Sequence, residues 1–266
     1  MLEGAIRTSG GAAVDVVTLP LAEVVDRTAS GAYDAGEFSF LHALTNIARD
    51  DDTFVFLPVF PHRVLRHSML WTRSDSELRE LAQLRGARIG IGAYATTGLL
   101  YLRGLLEDEH GIRPDEITWV RTRPERTAVA VSGVVIEDVS GETDDLLARG
   151  VVDAVAVFTA PRLARSAPPL ARPLVRDVAS REAEYLERTG ILPIMHVVAL
   201  KSAVHRDAPD VAPSLIRAFE RARSGTGVPA YGIEANRPAL DAAIRYAGRQ
   251  LGLVLPGDVS TIFTRA

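Results

Sequence analysis

The 266-residue chain is 47% hydrophobic and 24% charged, enough apolar material for one large core or two lobes of ordinary size. Its net charge of −4 leaves no basic footprint for nucleic acid, and the lack of cysteine removes thiol nucleophiles, thiolate metal sites and disulfides together. No apolar run reaches the roughly 18 residues of a membrane span and Met1–Arg7 carries no apolar signal region, so a cytoplasmic protein is expected.

Strand and helix patterns alternate along the chain. Val14–Leu19 reads as a strand and Pro20–Gly31 as a helix, followed by a short strand at Tyr33–Ser39 that runs into a helix ending near Arg49. Thr53–Phe60 is too apolar for a strand with a solvated face, and a further strand is expected over His67–Thr72. Ser76–Gln83 carries a serine cap and an acidic first turn, the signature of a helix start. The strand Ala87–Gly92, the small-residue loop Ala93–Gly98 and a helix to about His110 form a unit that can offer backbone N–H groups to an anion; an ordinary βα turn is the alternative.

Ile117–Thr122 and Val152–Phe158 read as strands, with an apolar piece at Val129–Ile136 and a capped helix at Thr143–Gly150 between them. Proline-rich Ala160–Pro173 reads as a loop, Arg181–Thr189 as a helix, Ile191–Leu200 as a strand and Ala208–Arg223 as an amphipathic helix. Helices around Pro238–Leu251 and Pro256–Arg265 close the chain. The whole predicts an α/β architecture with mainly parallel sheets.

Chemistry concentrates in Pro58–Trp71, where His62, Arg63, Arg66 and His67 lie between apolar runs. Buried cations are costly unless an anion compensates them, and arginine's rigid fork matches a carboxylate. Two imidazoles nearby add proton-transfer capacity. An exposed turn with solvated charges is the plain alternative. On a regular strand His62 and His67, five apart, point to opposite faces, which argues against a shared metal. Glu37 sits where a strand enters a helix, either at a ligand crevice or merely complementing the helix N-terminus. Tyr94, Thr96 and Thr97 supply a phenol and two hydroxyls at a helix start, with capping as the structural role. His196, inside Pro193–Leu200, is either a core group or a catalyst. Lys201 is the only lysine among 30 basic residues and reads as a surface strand end, so Schiff-base chemistry is not expected.

Pro58–Ser68, Leu84–Tyr94, Arg103–Gly111 with Ile117–Val120, and Thr189–His196 together resemble the 4,5-dihydroxyphthalate decarboxylase family in order and spacing; Asp34–Ser39 matches its acidic strand-to-helix motif. The likeness covers about residues 2 to 225. It implies a two-lobed type II periplasmic-binding-protein-like fold with ligand held in a cleft. Lobe I would be 1–69 with 201–266 and lobe II 70–200, the crossings falling near Pro61–Trp71 and at Leu163–Pro173 or Ile191–Leu200. The family's opening strand, with its Asp-Tyr-Asp-Arg-like motif, has no counterpart around Leu2–Arg7, which would remove a cleft arginine and leave an unpaired strand edge.

The resemblance implies a cofactor-independent lyase, most simply a decarboxylase of a small hydroxylated aromatic or cyclic carboxylate; scattered acids could bind a metal, but no local spacing argues for a metal site. Arg63 and Arg66, with Ser39, Tyr94, Thr96 and Thr97, would bind the substrate. His67 or His196 would protonate the ring carbon, and Glu37 would take a ring hydroxyl's proton. A non-enzymatic carboxylate receptor and a dehydratase similar to the futalosine-route menaquinone enzymes are the rival readings. The only partner expected besides the small carboxylate is a further copy of the chain in a homo-oligomer; nucleic acid and membrane are not expected.

Overall fold

The computed structural model describes residues 6–7, 13–126 and 131–264. In chain order the first stretch contributes β1 (Ile6–Arg7), β2 (Ala13–Val14), α1 (Leu21–Ala29), β3 (Ala35–Ser39), α2 (Phe40–Ala48) and β4 (Phe54–Leu57). The middle stretch holds β5 (Leu70–Arg73), β6 (Arg88–Ile91), α3 (Thr97–His110), β7 (Thr118–Arg121), β8 (Val135–Asp138), α4 (Thr143–Ala148), β9 (Ala154–Ala156), β10 (Ala171–Pro173) and α5 (Val178–Thr189). The last brings β11 (His196–Lys201), α6 (Ser202–Asp207), α7 (Val211–Arg223) and α8 (Ile233–Leu251).

Contacts divide the chain into two compact units. The first comprises Met1–Val64, Ile194–Ile244 and Leu253–Ala266; the second comprises Leu65–Pro193 with Arg245–Gly252. The chain therefore changes unit at Val64/Leu65 and Pro193/Ile194, where the sequence boundaries were drawn at 69/70 and 200/201. The last turns of α8 belong with the second unit.

In the first unit β11 lies between β3 and β4, antiparallel to both. Its central residues Val197–Leu200 are buried on both faces, which explains an apolar run without alternation. Leu57, Val198 and Leu200 pack against Val211, Ala212 and Leu215 of α7, so the amphipathic face of that helix covers one side of the sheet.

The second unit is built on a six-stranded sheet in the order β10-β5-β9-β6-β7-β8. β9, β6, β7 and β8 run parallel; β5 is antiparallel to β9 and β10 to β5. The sheets are thus mixed and antiparallel, not mainly parallel as expected. β11, the shared partner in the first unit, enters from the far end of the sequence against both neighbours. Val120, Leu146, Leu147, Val152 and Val155 form a core under α4. α3 is buried along Thr97–Leu106, including the guanidinium of Arg103, which lies 3.8 Å from the centre of the Tyr94 ring.

Several local expectations are revised. The pairing of Val14–Leu19 stops at Val14. His67 opens a 3-10 turn, His67–Met69, ahead of β5 rather than lying in a strand. Ser76–Gln83 forms no α-helix: the Ser76 hydroxyl closes a local turn on the Leu78 N–H, and a 3-10 turn begins only at Leu81. The loop Ala160–Pro173 ends in the edge strand β10, where proline is tolerated because one side needs no donor. The closing helix is only a 3-10 turn at Val259–Ile262, capped by Asp258; Arg265 and Ala266 lie outside the described residues, as do Leu2–Ala5 and Val129–Ala130 of the expected segments. Among the described residues no helix is long and apolar enough to cross a membrane.

Candidate active site

In the first unit, β3 and β11 place Ser39 opposite His196 and Glu37 opposite Val198. Residues two apart on a strand share a face, so Glu37 and His196 are diagonal neighbours. They meet: Glu37 Oε2 lies 3.0 Å from His196 Nδ1. Both are partly buried, and the carboxylate favours the tautomer with the proton on Nδ1, leaving Nε2 to take or give a proton. The backbone carbonyl of His62 accepts the N–H groups of Met195 and His196 and holds the entry to β11 in place. The His62 ring stands edge-on to that of His196, with centroids 5.0 Å apart. Glu37, Ser39 and His196, three candidates from distant sequence positions, are therefore assembled on one sheet face.

Arg63 follows a different course. Its Nη1 donates to Ala230 O (2.8 Å) and Asn236 Oδ1 (3.0 Å), and its Nη2 to Pro229 O (2.6 Å). Its guanidinium lies over Tyr231. The expected carboxylate fork is engaged with the chain's own carbonyls, tying the segment before α8 to the Pro61–Val64 stretch.

In the second unit, Arg66 is 7% exposed and its Nε has no hydrogen-bond partner. Burial pushes its pKa down to about 10, so it remains a cation at neutral pH, with Glu182 offsetting part of the cost. The guanidinium lies 5.4 Å from the centre of the Phe158 ring, itself 59% exposed. Both border the first turn of α3: a Cβ on Gly98 would stand 2.4 Å from the Phe158 ring and 3.4 Å from Arg66 Nε. Only glycine allows this approach. The Thr96 hydroxyl caps α3 by accepting the Leu99 N–H, while Thr97 is buried at its first position. A buried cation with an unpartnered Nε, a helix N-terminus and an exposed aromatic ring thus converge, a set of groups suited to an aromatic carboxylate.

Two further candidates lie elsewhere in this unit. Tyr94 is not at the surface: its ring is fully buried between Arg103 and Trp119, and burial raises its phenol pKa. The sequence offered it as a phenol in the loop before a helix; the ring turns inward to cover the Arg103 guanidinium. His67 is 4% exposed, stacks edge-on against Tyr185, and lines a pocket of about 460 Å³ with Glu109, His110 and Arg188. Glu109 and His110 come from the end of α3 and Arg188 from α5, whereas Arg66 reaches the start of α3. Desolvation lowers the His67 pKa. Among the described residues no group of three His, Cys, Asp or Glu is placed to hold a metal.

Phe158 and Glu125 were not among the sequence candidates. Phe158 ends an apolar run, and the rule that strand ends border ligands would have pointed to it. The Glu125 carboxylate accepts the N–H groups of Tyr94 (2.7 Å) and Ala95 (2.8 Å), a contact that no local pattern announces.

These features define an α/β protein of the periplasmic-binding-protein-like class, and the chain belongs to the family described as ABC transporter, phosphonate, periplasmic substrate-binding protein, whose model matches residues 2–160. The ligand-binding component of an ABC-type import system from Staphylococcus aureus, solved with zinc bound, is similar in fold, with a TM-score of 0.53 at 12% identity over 92% of this chain and 82% of that one. Two curated relatives are more alike in sequence. The 4,5-dihydroxyphthalate decarboxylase of Comamonas testosteroni is 31% identical over 201 residues, 72% of this chain and 61% of that protein. The enzyme of the same name from Pseudomonas putida is 32% identical over 154 residues, 54% of this chain and 60% of that protein. The chain spans about six-tenths of the length of each.

Proposed function

We propose that the protein is a carboxy-lyase acting on a hydroxylated aromatic carboxylate of the phthalate type, without an organic cofactor. The observation that carries this reading is Arg66, a buried guanidinium with an unpartnered Nε beside the start of α3 and the open ring of Phe158. The names of the two curated relatives support the same class of substrate.

Decarboxylation breaks the bond between the ring carbon and its carboxylate. The carboxylate leaves as carbon dioxide, its bonding pair stays on the ring carbon, and a proton must be delivered there. A hydroxyl ortho or para to that carbon feeds electrons into the ring so that protonation precedes loss of carbon dioxide. In this reading Arg66 and the α3 N-terminus hold a carboxylate and Phe158 carries the ring. Within the first unit, the Glu37–His196 pair is the candidate for proton transfer, Nε2 giving a proton once it has taken one from solvent. Glu37, bonded to Nδ1, orients the imidazole and stabilises it when charged rather than serving as an independent base. Ser39, opposite His196, lies beside the same pair.

The second reading is a receptor that binds carboxylates without turning them over. It is favoured by one observation: the Arg66 group needs no histidine to be complete. The two readings separate on His196→Asn. For the enzyme, turnover of 4,5-dihydroxyphthalate falls about 10²–10⁴-fold with binding retained. For the receptor, the wild type releases no carbon dioxide and the substitution changes nothing. Glu37→Gln should follow His196→Asn in sign with a smaller loss.

A further inference from the structure

The Glu125 carboxylate is bonded to the loop that leads into α3. Oε1 accepts the Tyr94 N–H at 2.7 Å and Oε2 accepts the Ala95 N–H at 2.8 Å. Arg121 Nη1 donates to the same Oε1 at 2.9 Å. Arg121 is itself fixed by Asp138, which accepts from Nε and Nη2 at 2.6 and 2.8 Å. Two adjacent amides and a guanidinium are the elements of a carboxylate receptor, and here a side chain of the protein fills it.

The position of this contact gives it a consequence. The Tyr94 peptide is gripped from both sides: its N–H by Glu125, its carbonyl by Arg103 Nη1 at 2.9 Å and by the Thr96 N–H at 3.1 Å. Thr96 is the cap of α3, and Gly98, two residues on, lies against Phe158. Any slackening of the Tyr94 peptide is passed within four residues to the helix start beside Arg66.

We infer that Glu125 is a positioning residue: its carboxylate occupies a built-in anion site and thereby fixes the α3 entrance in the form that accepts the substrate carboxylate. The inference rests on the Arg66 reading above. It also makes a prediction of its own, because removing the side chain should leave a vacant receptor for a small free carboxylate.

The test uses the full chain, phthalate as the probe ligand and acetate as the added anion. In the wild type, acetate should only compete with phthalate and weaken its binding. In Glu125→Ala, phthalate affinity should fall about tenfold, the worth of a single charge-assisted hydrogen bond. Millimolar acetate should then strengthen phthalate binding, the opposite sign to the wild type, and raise Tm in the variant alone. Glu125→Gln, which keeps the volume but presents an NH₂ to one amide, should bind weakly and gain nothing from acetate. Equal phthalate affinity in wild type and Glu125→Ala, or acetate weakening both alike, overturns the inference. Should the wild type itself fail to bind phthalate, the Arg66 reading falls. The acetate-dependent Tm of Glu125→Ala then still decides whether the built-in site exists.

Discussion

A guanidinium with an unpartnered nitrogen at 7% exposure is held against its own stability, and Arg66 is such a group. A charge taken out of water costs several kcal/mol unless its pairing is complete. Arg66→Met should therefore leave the ligand-free Tm unchanged or raised while abolishing the thermal shift with phthalate. A variant that melts earlier yet still binds would make Arg66 an ordinary structural residue. His67 invites a pH experiment instead. Burial lowers its pKa, so between that lowered value and the ordinary histidine value near 6.5 the unfolded chain binds the extra proton. Stability consequently rises with pH across this window. The groups around the ring are Glu182, Tyr185, Glu109, His110 and Arg181. Glu182, whose pKa burial raises, acts with the opposite sign above the ordinary glutamate value near 4.5. His67→Gln should flatten the rise in urea midpoint below about pH 6.5 without removing it, since half-buried His42 contributes with the same sign. An unchanged slope would show that the ring titrates alike in the folded and unfolded states.

At the scale of elements, the entrance to α3 depends on glycine. A methyl group on Gly98 meets the Phe158 ring at 2.4 Å, so Gly98→Ala must displace the ring or the helix start. Binding of phthalate should weaken at least as much as in Phe158→Ala, whereas binding of a small aliphatic carboxylate should suffer less in Phe158→Ala. Equal losses for both ligands would deny Phe158 a role in ring recognition. This is also where the sequence was most and least readable. The loop-to-helix signal at Tyr94–Gly98 was legible because small residues and threonine have fixed meanings at a helix start. Glu37 was legible as a strand-end acid, and His196 as a polar residue among apolar ones. Their pairing was not, because it depends on β11 lying antiparallel to β3 across more than 150 residues of chain. Arg63 and Arg66 look equivalent in sequence. Only the carbonyls of Pro229 and Ala230, far along the chain, distinguish the engaged guanidinium from the one with an unpartnered nitrogen.

For the whole molecule, the alternation of apolar strands and amphipathic helices sufficed for the α/β class, but strand direction was set by long-range pairing that periodicity does not encode. Each compact unit is assembled from discontinuous pieces, since β11 returns to the first unit and the end of α8 to the second. Described by itself, the first unit holds the Glu37–His196 pair and the second the buried guanidinium of Arg66. The most direct measurement is release of carbon dioxide from 4,5-dihydroxyphthalate by the purified protein, read beside binding of the same compound. The account predicts release by the wild type, none by Arg66→Met for want of binding, and about 10²–10⁴-fold slower release by His196→Asn with binding intact. Tight binding by the wild type with no carbon dioxide released would contradict it and leave a carboxylate receptor in its place.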